Sequence, residues 1–218
     1  MRGYFVTATG TDIGKTFCTA GLLRARPGLR AIKPLLSGYV PGDISDSSQL
    51  LAAMGQSADA AMIEAITPWR YKAPLSPDMA AAREGQVVPY DELLAFCQRE
   101  LSKAAAEKAE GLLIEGAGGA AVPLTATKLT ADWIRELELP ALLVSGAYLG
   151  SISHCLTTAE FLLKRGVKIH AILLNESIQS PVPVEETAAA LARYLPCQIF
   201  HIKREAVPED FQELAFSL

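Results

Sequence analysis

Residues 5–16, with the sequence FVTATGTDIGKT, constrain the fold more than any other part of the chain. An apolar run that is typical of a strand leads into a small polar turn, and a helical pattern follows over residues 15–26. Gly14 permits a turn that a side chain would hinder, and the free N–H groups at a helix start carry partial positive charge. This combination predicts a phosphate-binding loop.

The last residues of this loop have the side chains that a bound triphosphate requires. Lys15 would reach the β- and γ-phosphates, and the Thr16 hydroxyl is an oxygen of the kind that binds Mg²⁺. The loop is a long variant, since Thr9 stands five residues before Gly14, where the usual pattern has a glycine. A structural turn in which Gly-Lys-Thr occurs by chance is the alternative interpretation.

The length and composition of the chain favour a cytoplasmic, single-domain protein, 1–218. At 218 residues, such a domain buries roughly 70% of the surface of the unfolded chain. The net charge of −4 argues against a nucleic-acid partner, which requires a basic surface. The four cysteines lack the close spacing of a zinc or redox site, and no apolar run reaches the ~18 residues of a membrane span. The loop begins so soon after Met1 that we expect no signal peptide.

Apolar strands alternate with helical patterns along the rest of the chain. This alternation predicts a P-loop NTPase-like α/β fold, in which a mostly parallel sheet has helices on both faces. Strands are predicted over 29–33, 111–115, 141–145, 167–174 and 198–202, and helices over 46–54, 90–109, from about 151, and over 184–195. We expect the second strand to lie beside the first, and residues 66–89, rich in proline, to form a covering loop.

Charged and hydroxyl side chains follow two of these strands. Lys33 and Ser37 emerge after the second strand, at the sheet edge where parallel α/β proteins bind ligands. Glu115 ends an apolar strand before a run of glycines, which suits a carboxylate that holds Mg²⁺. The alternatives are a solvated lysine for Lys33 and a salt-bridged strand end for Glu115. For the helix that starts near residue 46, Ser45 or Asp46 could simply be the N-cap.

Two further positions suit ligand binding. The helix start at residues 150–153 has free N–H groups that could bind a carboxylate, although a simple capped helix explains the same pattern. Asn175 has the donor and acceptor that match the N6 and N7 edge of adenine, with a turn-forming residue as the alternative. The three histidines show no metal-ligand spacing, so we assign them to packing or to the surface.

Taken together, these motifs resemble those of the dethiobiotin synthetase family, the ATP-dependent carboligases of biotin biosynthesis. The resemblance runs over nearly the full length of the chain. It is carried by TGTDIGKT at 9–16, KPLLSG at 33–38, Ser45 and Asp46, APLSP at 73–77, EGAGG at 115–119, VPL at 122–124, LGSISH at 149–154, and Asn175.

The resemblance implies a reaction in three steps. CO₂ carbamylates 7,8-diaminononanoate, MgATP phosphorylates the carbamate, and the second amine closes the ureido ring to give dethiobiotin, ADP and phosphate. The implied catalytic residues are Lys15, Lys33 and Thr11, and the implied metal ligands are Thr16, Asp46 and Glu115. No histidine catalyst is required for this chemistry.

The resemblance also implies two sets of binding residues and a homodimer. Nucleotide contacts fall on Asp12, Ile13, Gly14, Lys15, Thr16, Phe17, Asp46, Glu115, Gly116, Ala117, Gly118, Asn175, Glu176 and Arg204. Substrate contacts fall on Thr11, Lys33 and Ser37, and on Gly150, Ser151, Ile152 and Ser153, which would bind the substrate carboxylate of the partner chain. The chain departs from the common family pattern at Ala8, Gly10, Asp12, Asp78, Tyr148 and Arg204.

Two other classes of protein share this variant of the loop. A partition-type ATPase, a nucleotide switch that binds DNA or a partner protein, carries an extra lysine five residues before the loop lysine, where this chain has Gly10. An amidoligase of the cobyrinate type normally adds a glutaminase domain, which 218 residues cannot hold. Both remain as alternatives.

Overall fold

The computed structural model describes residues 2–178 and 180–218. Its strands are β1 (Arg2–Ala8), β2 (Leu29–Ile32), β3 (Leu35–Ser37), β4 (Trp69–Tyr71), β5 (Gly111–Glu115), β6 (Ala141–Gly146), β7 (Ile169–Asn175) and β8 (Gln198–Ile202). Its α-helices are α1 (Lys15–Ala25), α2 (Asp46–Ala53), α3 (Ala60–Ile66), α4 (Pro77–Arg83), α5 (Tyr90–Ala106), α6 (Thr130–Glu136), α7 (Ser151–Lys164), α8 (Val184–Ala192) and α9 (Gln212–Ser217). A 3₁₀ turn, Pro208–Phe211, precedes α9.

A six-stranded sheet forms the centre of the molecule, with the order β2-β5-β1-β6-β7-β8. Every pairing between these described strands is parallel. All residues of β5 and β6 are buried, which requires cover on both faces of the sheet. The predicted α/β architecture with a parallel core is therefore confirmed.

One expectation about the sheet is wrong. β2 does not lie beside β1, because β5 is inserted between them and pairs with both. Strand adjacency depends on long-range packing that the local apolar pattern does not encode. The consequence for the site is direct, since the carboxyl end of β5 places Glu115 between the loop after β1 and the turn after β2.

Residues 66–89 are only partly the loop that their prolines suggest. They contain β4, which pairs in parallel with β3 to form a separate two-stranded sheet, and the short helix α4. Pro77 occupies the first turn of α4, where its missing N–H costs nothing because that donor has no partner within the helix. The segment thus has neither a long helix nor a strand of the central sheet, as its prolines predict, but it is not a loop throughout.

Aromatic side chains fill the core around β1. The rings of Phe5 and Trp133 meet edge to face with centroids 4.8 Å apart, and Trp133 is fully buried. Tyr4 donates a hydrogen bond to the carbonyl of Leu218 at 2.9 Å, which ties the end of the chain to the first strand. Within the described residues, no helix combines the length and the apolar character needed to cross a membrane.

Candidate active site

The loop between β1 and α1 has the backbone conformation that its glycine predicts. Gly14 is the N-cap of α1, with φ 97° and ψ 28°, in the left-handed region that side chains disfavour. A Cβ atom at this position would lie 2.2 Å from Nδ2 of Asn175, so a glycine is needed for space as well as for backbone conformation. Helix α1 then starts at Lys15 with its first N–H groups free of helical partners.

This loop forms one wall of a cleft of about 770 Å³, a size that suits a nucleotide with a small second substrate. The cleft brings together residues from three of the turns singled out in the sequence. Of the predicted site residues, it is lined by Thr11, Asp12, Gly14, Lys15, Thr16, Phe17, Lys33, Ser37, Asp46, Ala117 and Gly118. Residues 74–77, from the proline-rich segment, form part of its lining.

Lys33 lies at the centre of a buried cluster of charges on the floor of this cleft. Its Nζ lies 2.8 Å from Oε1 of Glu115 and 2.9 Å from Oδ2 of Asp46, and it donates to the Gly116 carbonyl at 3.0 Å. Thr16 Oγ1 donates to the same Glu115 Oε1 at 2.7 Å. Lys33 is 2% exposed and Glu115 is fully buried, so each charge depends on the other for solvation. The alternative of a solvated lysine at this position is wrong.

The close contacts of this cluster shift the pKa values of Lys33 and Asp46. Burial opposes the charge on Lys33, but Glu115 and Asp46 outweigh it and raise the pKa of Lys33 above its usual value. Burial likewise opposes the charge on Asp46, and Lys33 together with a hydrogen bond from Thr16 lowers the net pKa of Asp46. Both shifts favour the charged forms of Lys33 and Asp46.

Lys15 has a different environment in the same cleft. Burial, followed by repulsion from Lys33, lowers the pKa of Lys15 to about 8. Glu115, Asp46 and Asp12 attract its charge from a distance without offsetting these effects. Within residues 2–178 and 180–218, Lys15 forms no ion pair, although it is only 7% exposed. It is a buried cation that an anionic ligand would stabilise.

The oxygen ligands around Thr16 fit a small hard cation. Asp46 and Glu115 both approach the Thr16 hydroxyl, and Oε2 of Glu115 is buried without a hydrogen-bond partner in the described part of the chain. Among the described residues, no three or more His, Cys, Asp or Glu side chains are grouped so that they could hold a metal ion by themselves. A cation held here would need ligand oxygens from another source, which matches the way Mg²⁺ binds through one or two carboxylates and substrate phosphates.

Asp46 is free for this role because a neighbouring residue caps the helix. Ser45 is the N-cap of α2, where its side chain accepts from the N–H of Ser48 at 3.2 Å and the Ser48 hydroxyl accepts from the N–H of Ser45 at 2.8 Å. The alternative interpretation of Asp46 as the cap itself is wrong. The Ser45 and Ser48 spacing is the sequence signal that could have separated the two roles.

Several predicted residues lie outside the cleft. Asn175 and Glu176 follow one another at the end of β7, and Glu176 Oε2 accepts from the backbone N–H of Arg204 at 3.1 Å. The structure therefore brings Asn175, Glu176 and Arg204 together next to the phosphate loop, which Asn175 contacts through Ile13. Their assignment to nucleotide binding stays a prediction.

The second helix start also lies apart from the cleft. Gly150 is the N-cap of α7 with φ 95°, and no side chain caps the helix. Leu149 is 86% exposed next to it, while Ser151 is buried. A carboxylate site formed by Gly150, Ser151, Ile152 and Ser153 for a partner chain stays a prediction.

Some residues of the cleft were given no role in the site from the sequence, although four of them lie within the motifs at 33–38, 73–77 and 122–124. They are mostly apolar or belong to the turn between β3 and α2: Leu36, Val40, Asp43, Ile44, Gln49, Pro74, Leu75 and Val122. Exposed apolar side chains such as Ile44, 86% exposed, give no periodic signal in a sequence. Only the course of the chain around the cleft reveals them.

Comparisons with known proteins identify the family to which the chain belongs. A family model described as an AAA domain matches residues 2–203. The ATP-dependent dethiobiotin synthetase BioD of Acidiphilium cryptum is 47% identical over 202 residues and covers 89% of each chain. The protein of the same name from Methylobacterium nodulans is 42% identical over 215 residues and covers 94% of each chain.

Among solved structures, a ParA family ATPase from Chlorobium tepidum superposes with a TM-score of 0.55, covering 100% of this chain and 99% of that chain. Its sequence identity is 12%, so the likeness shows the P-loop NTPase fold and does not favour the partition-type alternative. Identity of 47% along nearly the whole length is a much stronger relation. On that ground, the chain belongs to the family of ATP-dependent dethiobiotin synthetases.

Proposed function

We propose that this protein forms dethiobiotin from 7,8-diaminononanoate, CO₂ and ATP, by carbamylation, phosphorylation of the carbamate and closure of the ureido ring. The observation that carries the proposal is the cleft in which a phosphate-binding loop, two buried lysines and two carboxylates converge. The likeness to relatives that are named dethiobiotin synthetases supports the same reaction.

The loop and Lys15 bind and orient the triphosphate in this proposal. The free N–H groups at the start of α1 and the Lys15 ammonium supply donors and positive charge at one point. Because burial and Lys33 lower the pKa of Lys15 to about 8 in the free protein, its ammonium lacks a counter-charge that a bound phosphate would supply. We assign Thr11, Asp12, Phe17, Ala117 and Gly118 to the same nucleotide-binding wall.

Lys33 offsets the charge of the carbamate. A carbamate anion that attacks a polyanion meets repulsion, and one cation at ~4 Å is worth about 4 kcal/mol at an effective dielectric constant of ~20. Lys33 and Ser37 both line the cleft, and the Ser37 hydroxyl is buried without a hydrogen bond to the described residues. This orphaned hydroxyl supports a polar substrate group at that place.

We further propose that Thr16, Asp46 and Glu115 hold Mg²⁺ together with the nucleotide. When bound, the ion offsets the negative charge on the phosphate oxygens. The unpartnered Oε2 of Glu115 supports this assignment, since a buried carboxylate oxygen is costly to leave without a ligand.

Ring closure needs positioning more than a dedicated base. The second amine attacks within the same molecule, and an intramolecular reaction of this kind gains most from a fixed geometry. No histidine belongs to the described lining of the cleft. The apolar Leu36, Leu75 and Val122 suit the hydrocarbon chain of the diamine.

The adenine would lie near the ends of β7 and β8, in contact with Asn175, Glu176 and Arg204. Oδ1 of Asn175 is buried and accepts no hydrogen bond from the described residues, which leaves an acceptor for an exocyclic amine. Gly116 belongs to the same nucleotide site through the turn that follows β5.

A homodimer in the cytoplasm completes the proposal. The exposed Leu149 and Ile152 at the start of α7 offer an apolar surface beside free helix N–H groups, which suits a partner subunit that brings a substrate carboxylate. All four cysteines are free, as expected for a reducing compartment.

The proposed function is tested by incubating the protein with MgATP, bicarbonate and 7,8-diaminononanoate. We expect ADP release that depends on the diamine, together with a product whose mass corresponds to dethiobiotin. A monoamine analogue serves as the control, because its carbamate can be phosphorylated but cannot close the ring. Nucleotide hydrolysis that is independent of the diamine and is stimulated by DNA would contradict the ligase and support the partition-type ATPase.

A further inference from the structure

Asn175 contacts the phosphate loop outside the lining of the cleft. Its Nδ2 donates a hydrogen bond to the carbonyl of Ile13 at 3.0 Å, across a sequence separation of 162 residues. Gly14 lines the cleft, whereas neither Asn175 nor Ile13 is part of that lining. The side chain therefore reaches the loop without being part of the cleft wall.

This hydrogen bond also determines the direction of the Gly14 N–H. The carbonyl of Ile13 and the N–H of Gly14 belong to one peptide unit, which is planar and trans. In such a unit the two groups point in opposite directions, so a carbonyl turned towards Asn175 directs the Gly14 N–H away from it. The N–H of Gly14 then points away from Asn175, and Gly14 itself lines the cleft.

Packing supports the same arrangement. Gly14 has φ 97°, a conformation that costs an ordinary residue energy and leaves glycine mobile unless something holds it. The 2.2 Å between Nδ2 of Asn175 and an ideal Cβ on Gly14 shows that the amide lies directly against this α-carbon. The loop is thus held both by a hydrogen bond and by van der Waals contact at its tightest turn.

We infer that Asn175 is a positioning residue that holds the Ile13–Gly14 peptide in the orientation needed to bind phosphate, in addition to any contact with the base. The two polar atoms of the Asn175 side chain have different roles. Nδ2 holds the loop through the Ile13 carbonyl, and Oδ1 stays available for a ligand amine. The strand β7 carries Asn175 at its end and supplies a rigid support for the loop. This inference rests on the proposed function only in that the cleft binds a nucleoside triphosphate.

A ligand without a base separates the two roles. We would measure the affinity of wild type, Asn175→Ala and Asn175→Leu for inorganic tripolyphosphate and for ATP by calorimetry, with Mg²⁺ present. Leucine has nearly the shape of asparagine but no donor, so it keeps the packing against Gly14 and removes the hydrogen bond. The unfolding midpoint of each variant reports whether the fold itself has changed.

We expect both variants to bind tripolyphosphate about tenfold more weakly than wild type, the loss that one well-placed hydrogen bond produces. ATP affinity should fall by at least the same factor, while the unfolding midpoint of the Leu variant stays close to that of wild type.

Three results would overturn the inference. Loss of ATP affinity with unchanged tripolyphosphate affinity would limit Asn175 to base recognition. Wild-type affinity in Asn175→Leu alone would reduce its role to filling space. A wild-type protein that binds neither probe would remove the proposed function together with the inference, which distinguishes that failure from the first two.

Discussion

Lys15 and Lys33 are buried lysines in the same cleft, 7% and 2% exposed, yet their environments differ. Lys33 is within 3 Å of two carboxylates and a carbonyl, and its pKa is raised. Lys15 forms no ion pair among the described residues, and burial and Lys33 lower its pKa to about 8. One cation is stabilised by the protein itself, whereas the other is left for a ligand.

Within this one site, Lys33 belongs to the structure of the free protein, whereas Lys15 serves ligand binding. Lys33 and its carboxylates compensate one another's charge in the absence of ligands, so removing one partner would leave an unpaired buried charge. Burial of the unpaired Lys15 charge instead lowers the stability of the free protein. Phosphates that supply the counter-charge remove this penalty, which favours their binding. A residue of this second kind is expected at a functional site.

The largest effect is expected from Lys15→Met. Turnover should fall by about three orders of magnitude or more, because a charge that stabilises the transferring phosphate is lost. The free energy of unfolding at pH 7 should rise by about 2 kcal/mol, since a buried charge with a strongly lowered pKa has been removed. Diamine-dependent ADP release and urea unfolding measure the two quantities. Near-normal turnover would refute the assigned role of Lys15.

The opposite effect on stability is expected from Lys33→Met. Glu115 would be left buried without its cation, at a cost of about 3 to 5 kcal/mol in the free energy of unfolding. The double variant Lys33→Met, Glu115→Gln serves as the control and should recover most of this loss. Urea unfolding curves of the two proteins test the claim, and equal stabilities of wild type and Lys33→Met would contradict it.

Substitutions of the two lysines should also differ in their effect on metal affinity in the absence of nucleotide. Lys33 occupies the oxygens of Asp46 and Glu115 that would bind a cation, so Lys33→Met should raise the affinity for Mn²⁺ about tenfold by relieving that competition. Lys15→Met removes the same charge without a direct contact and should give a smaller increase. Electron paramagnetic resonance of free Mn²⁺ measures both affinities, and equal changes would show that only long-range charge matters.

The smallest effect concerns pH. Lys15 has a pKa of about 8 in the folded protein and 10.5 as a reference, so the unfolded chain binds more protons between these values and stability rises with pH there. The same deprotonation should lower kcat/KM for ATP above pH 8, because this parameter reports the free enzyme. Lys15→Met should lack the rise in stability, and its presence in that variant would assign the rise to another group.

Local sequence patterns predicted the elements that carry the site. The strand–loop–helix at residues 5–16 and the strands Gly111–Glu115 and Gln198–Ile202 are where the periodicity placed them. Lys15 and Thr16 at a helix start and Glu115 at a strand end pointed to phosphate and metal chemistry, whereas the metal role of Asp46 was implied only by the family resemblance. Short elements without a periodic signal, such as α6 and the β3–β4 pair, were missed.

The sequence by itself determined the α/β class, the phosphate loop and the residue types that gather at one edge of the sheet, because backbone propensity and apolar periodicity act over a few residues. Only the tertiary structure decided that β5 lies between β1 and β2, and hence that Glu115 contacts both Thr16 and Lys33. Only the tertiary structure placed Asn175 against the phosphate loop, where it donates to the Ile13 carbonyl. These contacts join residues 82 to 162 positions apart, and the packing of the whole sheet selects them.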